Sequence, residues 1–229
     1  MVSRADAERL RLAQVGVRTL VERDLEAFWG SLNLGQPKVA RDALLEFVPL
    51  LVSQYGESAA SMAADWYDDL RASEGVRGSF RSEAFAPDET AAMTATVRRT
   101  ADALFTDAPE GMLTAVTAKA GKYVLNASRM TVARSTHRDP AAAGWQRITR
   151  PDACKFCVML HGRGAVYKRE TVFFASHGGC NCAAAPSWDQ SAPEVDVDLY
   201  EASRRTTMMT PAQRERHNAL IRRAIDEYT

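Results

Sequence analysis

All four cysteines of this 229-residue chain lie between positions 154 and 182. A disulfide framework spreads its cysteines through a small secreted chain to tie distant segments together. Cysteines confined to one short stretch point to a metal ion instead. Cys154 and Cys157 enclose two residues, the spacing at which a tight turn aims two thiolates at one ion. Twenty residues further on, His177-Gly178-Gly179-Cys180 repeats that spacing. Cys182 follows two residues later, where extended backbone turns alternate side chains to one side. Cys154, Cys157, His177, Cys180 and Cys182 are thus five candidate ligands for a four-coordinate zinc. Cys154, Cys157, His177 and Cys180 form the preferred set, with Cys182 competing for the last place. His161, alone in a glycine-rich turn, reads as a surface residue.

The expected role of the zinc is structural. A catalytic zinc keeps a coordination position open and needs an acid or base beside it. The His-x-Glu of the zinc deaminases and the His-Glu-x-x-His of the zincins are both missing from the sequence. A thioredoxin-like redox site would need a βαβ context ahead of Cys154, and none precedes it. The surrounding stretch has glycines at 162, 164, 178 and 179 and too few apolar residues for a core of its own. A metal staple makes good that deficit.

The rest of the chain reads as mainly helical. Leu10, Val17, Leu20, Val21, Phe28 and Leu32 recur at three- and four-residue steps, after a capping box at Ser3 and Asp6. Asn33 to Pro37 ends that helix. A second is expected from Pro37 to about Tyr55, bent or broken at Pro49, and a third from beyond Gly56 to about Ala72. The aromatic residues Phe28, Trp29, Phe47, Trp66 and Tyr67 are read as packing between these helices. Residues 74–87 read as a loop, 88–105 as a helix, and a long alanine-rich helix runs from Pro109 to about Ser135. Its basic residues, Lys119, Lys122, Arg129 and Arg134, with Arg138 just beyond, read as a solvated face. Strands are expected at Trp145–Thr149, Ala165–Lys168 and Cys182–Ala185. Ser191 to Asp198 reads as acidic and extended. Thr210-Pro211-Ala212-Gln213 then opens a last helix whose apolar edge is Leu220, Ile221, Ala224, Ile225 and Tyr228.

The fold class is therefore α+β, mainly α. It comprises an N-terminal helical region (1–86), a region with a long helix and a zinc-stapled β-containing module (87–190, the module at about 145–186), and an acidic linker with a C-terminal helix (191–229). Charge sums to zero, with 24 arginines against 5 lysines, so no global field argues for nucleic acid. The arginine excess is read as coding bias. No stretch reaches the roughly 18–20 apolar residues of a membrane span, and no secretion signal is seen, so a cytosolic location is expected.

The run from Trp145 through Cys154-Lys155-Phe156-Cys157 and His161-Gly162-Arg163-Gly164 to His177-Gly178-Gly179-Cys180-Asn181-Cys182 and Pro186 resembles the C-terminal part of MuF-like phage head-morphogenesis proteins. Family members often carry proline where Gly178 stands. The resemblance spans roughly Pro109 to Pro186. It implies a low-copy minor capsid protein of the virion that joins the procapsid near the portal and assists assembly, packaging or ejection. It further implies the portal or major capsid protein as partners, contact with packaged DNA, and no membrane anchor. The expected locations are the capsid interior or portal vertex, and the bacterial cytoplasm during assembly. Two other readings compete. One is a capsid maturation protease or other phage enzyme, for which Ser176 beside His177 is the one adjacent pair. The other is a DNA-binding module built on the basic helix from Pro109. The absence of a catalytic constellation in the sequence favours the non-enzymatic reading.

Overall fold

The computed structural model describes residues 4–150, 153–165, 167, 174, 176, 180–191 and 209–227. It is mainly helical with one two-stranded antiparallel sheet, an α+β arrangement dominated by α. Helices α1 (Arg4–Ser31), α2 (Pro37–Ser73), α3 (Thr90–Thr100) and α4 (Glu110–Arg138) form a bundle, with a 3-10 turn at Ala101–Phe105 between the last two. Strand β1 (Gly144–Ile148), helix α5 (Lys155–Gly162) and strand β2 (Ala183–Ser187) follow, and helix α6 (Pro211–Glu227) lies against α5.

One apolar core draws on all four bundle helices: Val21 and Leu25 from α1, Leu44, Val48 and Val52 from α2, Met93 and Val97 from α3, and Met112, Val116 and Val124 from α4. Phe28 stacks on Phe47 at 3.8 Å, so the aromatic residues of α1 and α2 do pack between helices. A second core joins α2 and α4 to the sheet through Tyr67, Val132, Ala133, Trp145 and Ala183.

The break expected between the second and third helices is overturned. α2 is one 37-residue helix containing both Pro49 and Gly56. A proline inside a helix costs about 3 kcal/mol through a lost hydrogen bond and a steric clash. Leu44, Val48, Leu51 and Val52 are all buried on the same segment, and each apolar side chain so buried contributes about 1.5–3 kcal/mol. Packing on several sides therefore outweighs the local signal. Gly56 is buried against α4, where a Cβ would meet the Ala127 Cβ at 3.8 Å, an ordinary contact.

The basic residues of α4 also depart from the expected solvated face. Arg129 is fully buried. Arg134 lies over the Phe85 ring at 3.9 Å and Arg138 pairs with Glu83. Thr131 Oγ1 accepts from the Phe85 N–H (3.0 Å) and donates to its carbonyl (3.1 Å). The face carrying Thr131, Arg134 and Arg138 is thus where the loop after α2 docks.

Asp139 caps α4 and collects donors from three directions. Its carboxylate accepts from Arg71 Nε at 2.9 Å, Tyr67 Oη at 3.2 Å and Trp188 Nε1 at 3.2 Å. Burial pushes this carboxyl up, but hydrogen bonds from Arg71, the Ala141 N–H and Trp188 outweigh it and hold Asp139 below the usual aspartate range. The group ties α2, the end of α4 and the chain after β2 together.

The expected strands at 145–149 and 182–185 are present as β1 and β2, paired from Gly144 with Ser187 to Ile148 with Ala183. Of the third, Tyr167 makes an isolated bridge to Trp145, while Val166 and Lys168 lie outside the described residues, as do Ser3, His177 and residues 192–208. The reciprocal capping box opens α6, with Thr210 Oγ1 accepting from the Gln213 N–H (3.3 Å) and Gln213 Oε1 from the Thr210 N–H (2.9 Å). The side chains of Leu220, Ile221, Ala224 and Ile225, and all of Tyr228, fall outside the described residues.

Two outcomes follow. Gly56→Ala is expected to stabilise the protein by about 0.5–1 kcal/mol in chemical denaturation, and Gly56→Leu to destabilise it by about 1–3 kcal/mol through overpacking. For Asp139, a carboxylate held below its unfolded value contributes stability that is full above about pH 4 and is lost as pH falls through the folded value. Asp139→Asn strands the buried Arg71 cation and should cost about 3–5 kcal/mol at neutral pH, while flattening the acid limb of the stability profile. An unchanged acid limb would show that the pair does not set it.

Candidate metal centre

Cys157 stands in the first turn of α5, with Cys154 as the residue capping that helix. Cys180 and Cys182 lead into β2, whose pairing with β1 fixes their height above α4. The two segments converge so that the thiols of Cys157, Cys180 and Cys182 all lie within 4.8 Å of one another, and all three residues are buried. Cys157 Sγ and Cys180 Sγ are 3.8 Å apart. Two thiolates about 2.3 Å from one tetrahedral ion stand about 3.8 Å from each other, so this pair has the separation that a zinc would impose. None of the four cysteines is in a disulfide.

Three of the five sequence-derived candidates are therefore brought together. Cys182 is a full member of the trio rather than a competitor outside it. Cys154 is exposed and is not among the three converging thiols, and His177 lies outside the described residues. His161 is exposed on α5, with Nδ1 2.6 Å from the Arg147 carbonyl. Among the described residues no carboxylate or imidazole joins the trio. The chemistry on offer is soft sulfur donors in a closed, water-poor place, which suits zinc.

Two arginines line this cluster, and the sequence reading assigned neither to it. Arg129 and Arg147 have no solvent exposure. Arg129 donates from Nε to the Cys182 carbonyl (2.9 Å) and from Nη2 to the Cys180 carbonyl (2.6 Å). Arg147 places Nη1 3.8 Å from both Cys157 Sγ and Cys180 Sγ. Phe174 lies under both cations, its ring centre 4.8 Å from Arg129 Cζ and 3.8 Å from Arg147 Cζ. Trp145 stacks on Phe174 and on Tyr167, closing the cluster on its apolar side.

Electrostatics follow from this packing. Burial lowers the Arg129 guanidinium to about 10, with the thiol of Cys180 working in the opposite direction. Hydrogen bonds from Cys157 and Cys182 draw Cys180 far below the usual thiol range, whereas bonding to Cys180 pushes Cys157 up. The one sequence cue for the arginines was position: Arg129 falls among Leu125, Val132 and Ala133 on α4, and Arg147, two residues from Trp145, shares its face of β1. Long polar side chains on such faces need a buried partner, and here the partner is the thiol cluster.

No helix among the described residues is long and apolar enough to cross a membrane. No curated protein and no solved structure matches the chain. A family model described as VG15 protein does, over residues 1–207, and so takes in the bundle, the sheet and the thiol cluster together. With nearly the whole chain matched, the protein belongs to the VG15 protein family, a family of viral (phage) proteins.

Proposed function

We propose that this VG15-family chain is a non-enzymatic minor capsid protein of phage head morphogenesis, acting near the portal, with one structural zinc in its C-terminal half. The observation that carries the reading is the thiol trio itself. Three buried sulfurs converging on one point, among the described residues, form a soft donor set equipped to hold an ion. Family membership in a group of phage proteins supports the setting. The resemblance of the run from Trp145 to Pro186 to MuF-like proteins supports the finer assignment to the head.

Zinc would be held by Cys157, Cys180 and Cys182, with Cys154 or His177 as the fourth ligand. Its contribution is to folding. The sheet has only two strands, and an isolated pair of strands is marginal in water. A zinc bound by deprotonated thiols supplies folding free energy directly, about 10–16 kcal/mol in small zinc modules near neutral pH. The strand pair and α5 then stand as a rigid knob on the bundle. A rigid surface on a helical body is what repeated docking onto a larger assembly requires. The portal or major capsid protein is the proposed partner, in the virion and in the host cytoplasm while particles form.

Deleting the gene in the parent phage should leave capsid shells that form but fail to package or eject DNA, with the protein found at a few copies per wild-type particle beside the portal by cryo-electron microscopy. Fully infectious particles that lack the chain would contradict the assembly role. Purified protein is expected to show no zinc-dependent hydrolysis of capsid protein or nucleic acid. Turnover abolished by Ser176→Ala would replace this reading with the protease alternative.

A further inference from the structure

Arg129 leaves α4 in the middle of its buried face, between Ala127 and Val132. Two of its nitrogens bind the carbonyls of Cys180 and Cys182, and Nη1 meets no hydrogen-bond partner among the described residues. No carboxylate among the described residues forms an ion pair with it. The groups that bear on it are the thiols of Cys157, Cys180 and Cys182, with Arg147 and Lys122 repelling it. A buried charge is tolerated only where opposite charge meets it. Neutral thiols do not supply that charge, and neither would a disulfide between two of them. Three thiolates and one divalent ion do, because their sum is a single negative charge, which a neutral fourth ligand keeps and a fourth thiolate increases.

Resting on the metal reading above, we propose that Arg129 is the charge-compensating positioning residue of a metal–thiolate centre, holding Cys180 and Cys182 by their carbonyls while its cation balances the anionic loaded site. α4 thereby becomes part of the metal site. The ion would lock the entry to β2 onto the bundle through this side chain as well as stapling it to α5.

The test is zinc affinity of the full chain by chelator competition, for the wild type and for Arg129→Met, Arg129→Gln and Arg129→Lys, with folding checked by circular dichroism. Arg129→Met and Arg129→Gln should bind zinc about 10–100-fold more weakly, the usual range when an outer-shell partner of a metal ligand is lost. Arg129→Lys, which keeps the charge without the planar fork, should stay close to wild type. A purely structural role would lower the thermal stability of zinc-loaded and zinc-stripped protein alike and leave affinity unmoved, because an effect on affinity requires a difference between those two states. If Arg129→Met does not fold, the glutamine variant, whose amide still donates to one carbonyl, decides the matter. Wild-type affinity in the neutral variants would overturn the role of Arg129 and leave the metal centre standing, as would a lysine variant as weak as glutamine. A wild-type protein that takes up no stoichiometric zinc would overturn both.

Discussion

A guanidinium group with no access to water sets the terms for the C-terminal half of this molecule. Arg129 projects from the longest-packed face of α4 into the same small volume as three cysteine thiols and a second buried arginine, Arg147. Two cations cannot share a dry site unless negative charge stands between them. The sulfurs of Cys157 and Cys180 stand 3.8 Å from Arg147 Nη1, where the proposed metal–thiolate centre would place that charge. The arrangement explains why β2 runs where it does: its entry is bonded through the Cys180 and Cys182 carbonyls to α4, and its pairing with β1 sets Arg147 beside the trio. Phe174 under both cations and Trp145 behind it keep water out, which strengthens every electrostatic contact inside.

At the other end of the sheet a second charged junction does related work without sulfur. Asp139 ends α4 and receives Arg71 from α2 and Trp188 from beyond β2. The two junctions flank the strand pair, so a sheet too small to stand alone is clamped to the bundle at both ends. α2 supports this from beneath. Its continuity through Pro49 and Gly56 lets one rigid helix serve both the bundle core and the core under the sheet.

Much of this was legible in the sequence, and the exceptions share a cause. The stop of α1, the start and stop of α4, two of the three expected strands, the Thr210–Gln213 capping box and the convergence of three of the five candidate ligands are local signals: periodicity, caps, alternation and spacing. They need only neighbours a few residues away. The continuity of α2 was not legible, because what carries the helix past Pro49 is burial against three other helices. Arg129 was read as solvated because a helix rich in Lys and Arg reads as a wet face; its partner lies some fifty residues further along the chain. Asp139 drew no role from the sequence, because its bonds to Tyr67 and Arg71 span a comparable distance. Cys182 looked like a spare ligand until the strand placed it beside the other two. In each case the missing information was a long-range pairing, and in three of the four it involved a buried charge or thiol.

The central claim is that Cys157, Cys180 and Cys182 hold a metal ion. X-ray absorption at the zinc edge, on protein purified without chelator, tests it most directly. The account predicts one zinc per chain with at least three sulfur scatterers at about 2.3 Å. A shell made mainly of nitrogen and oxygen, or protein with no stoichiometric metal and its thiols intact, would contradict it.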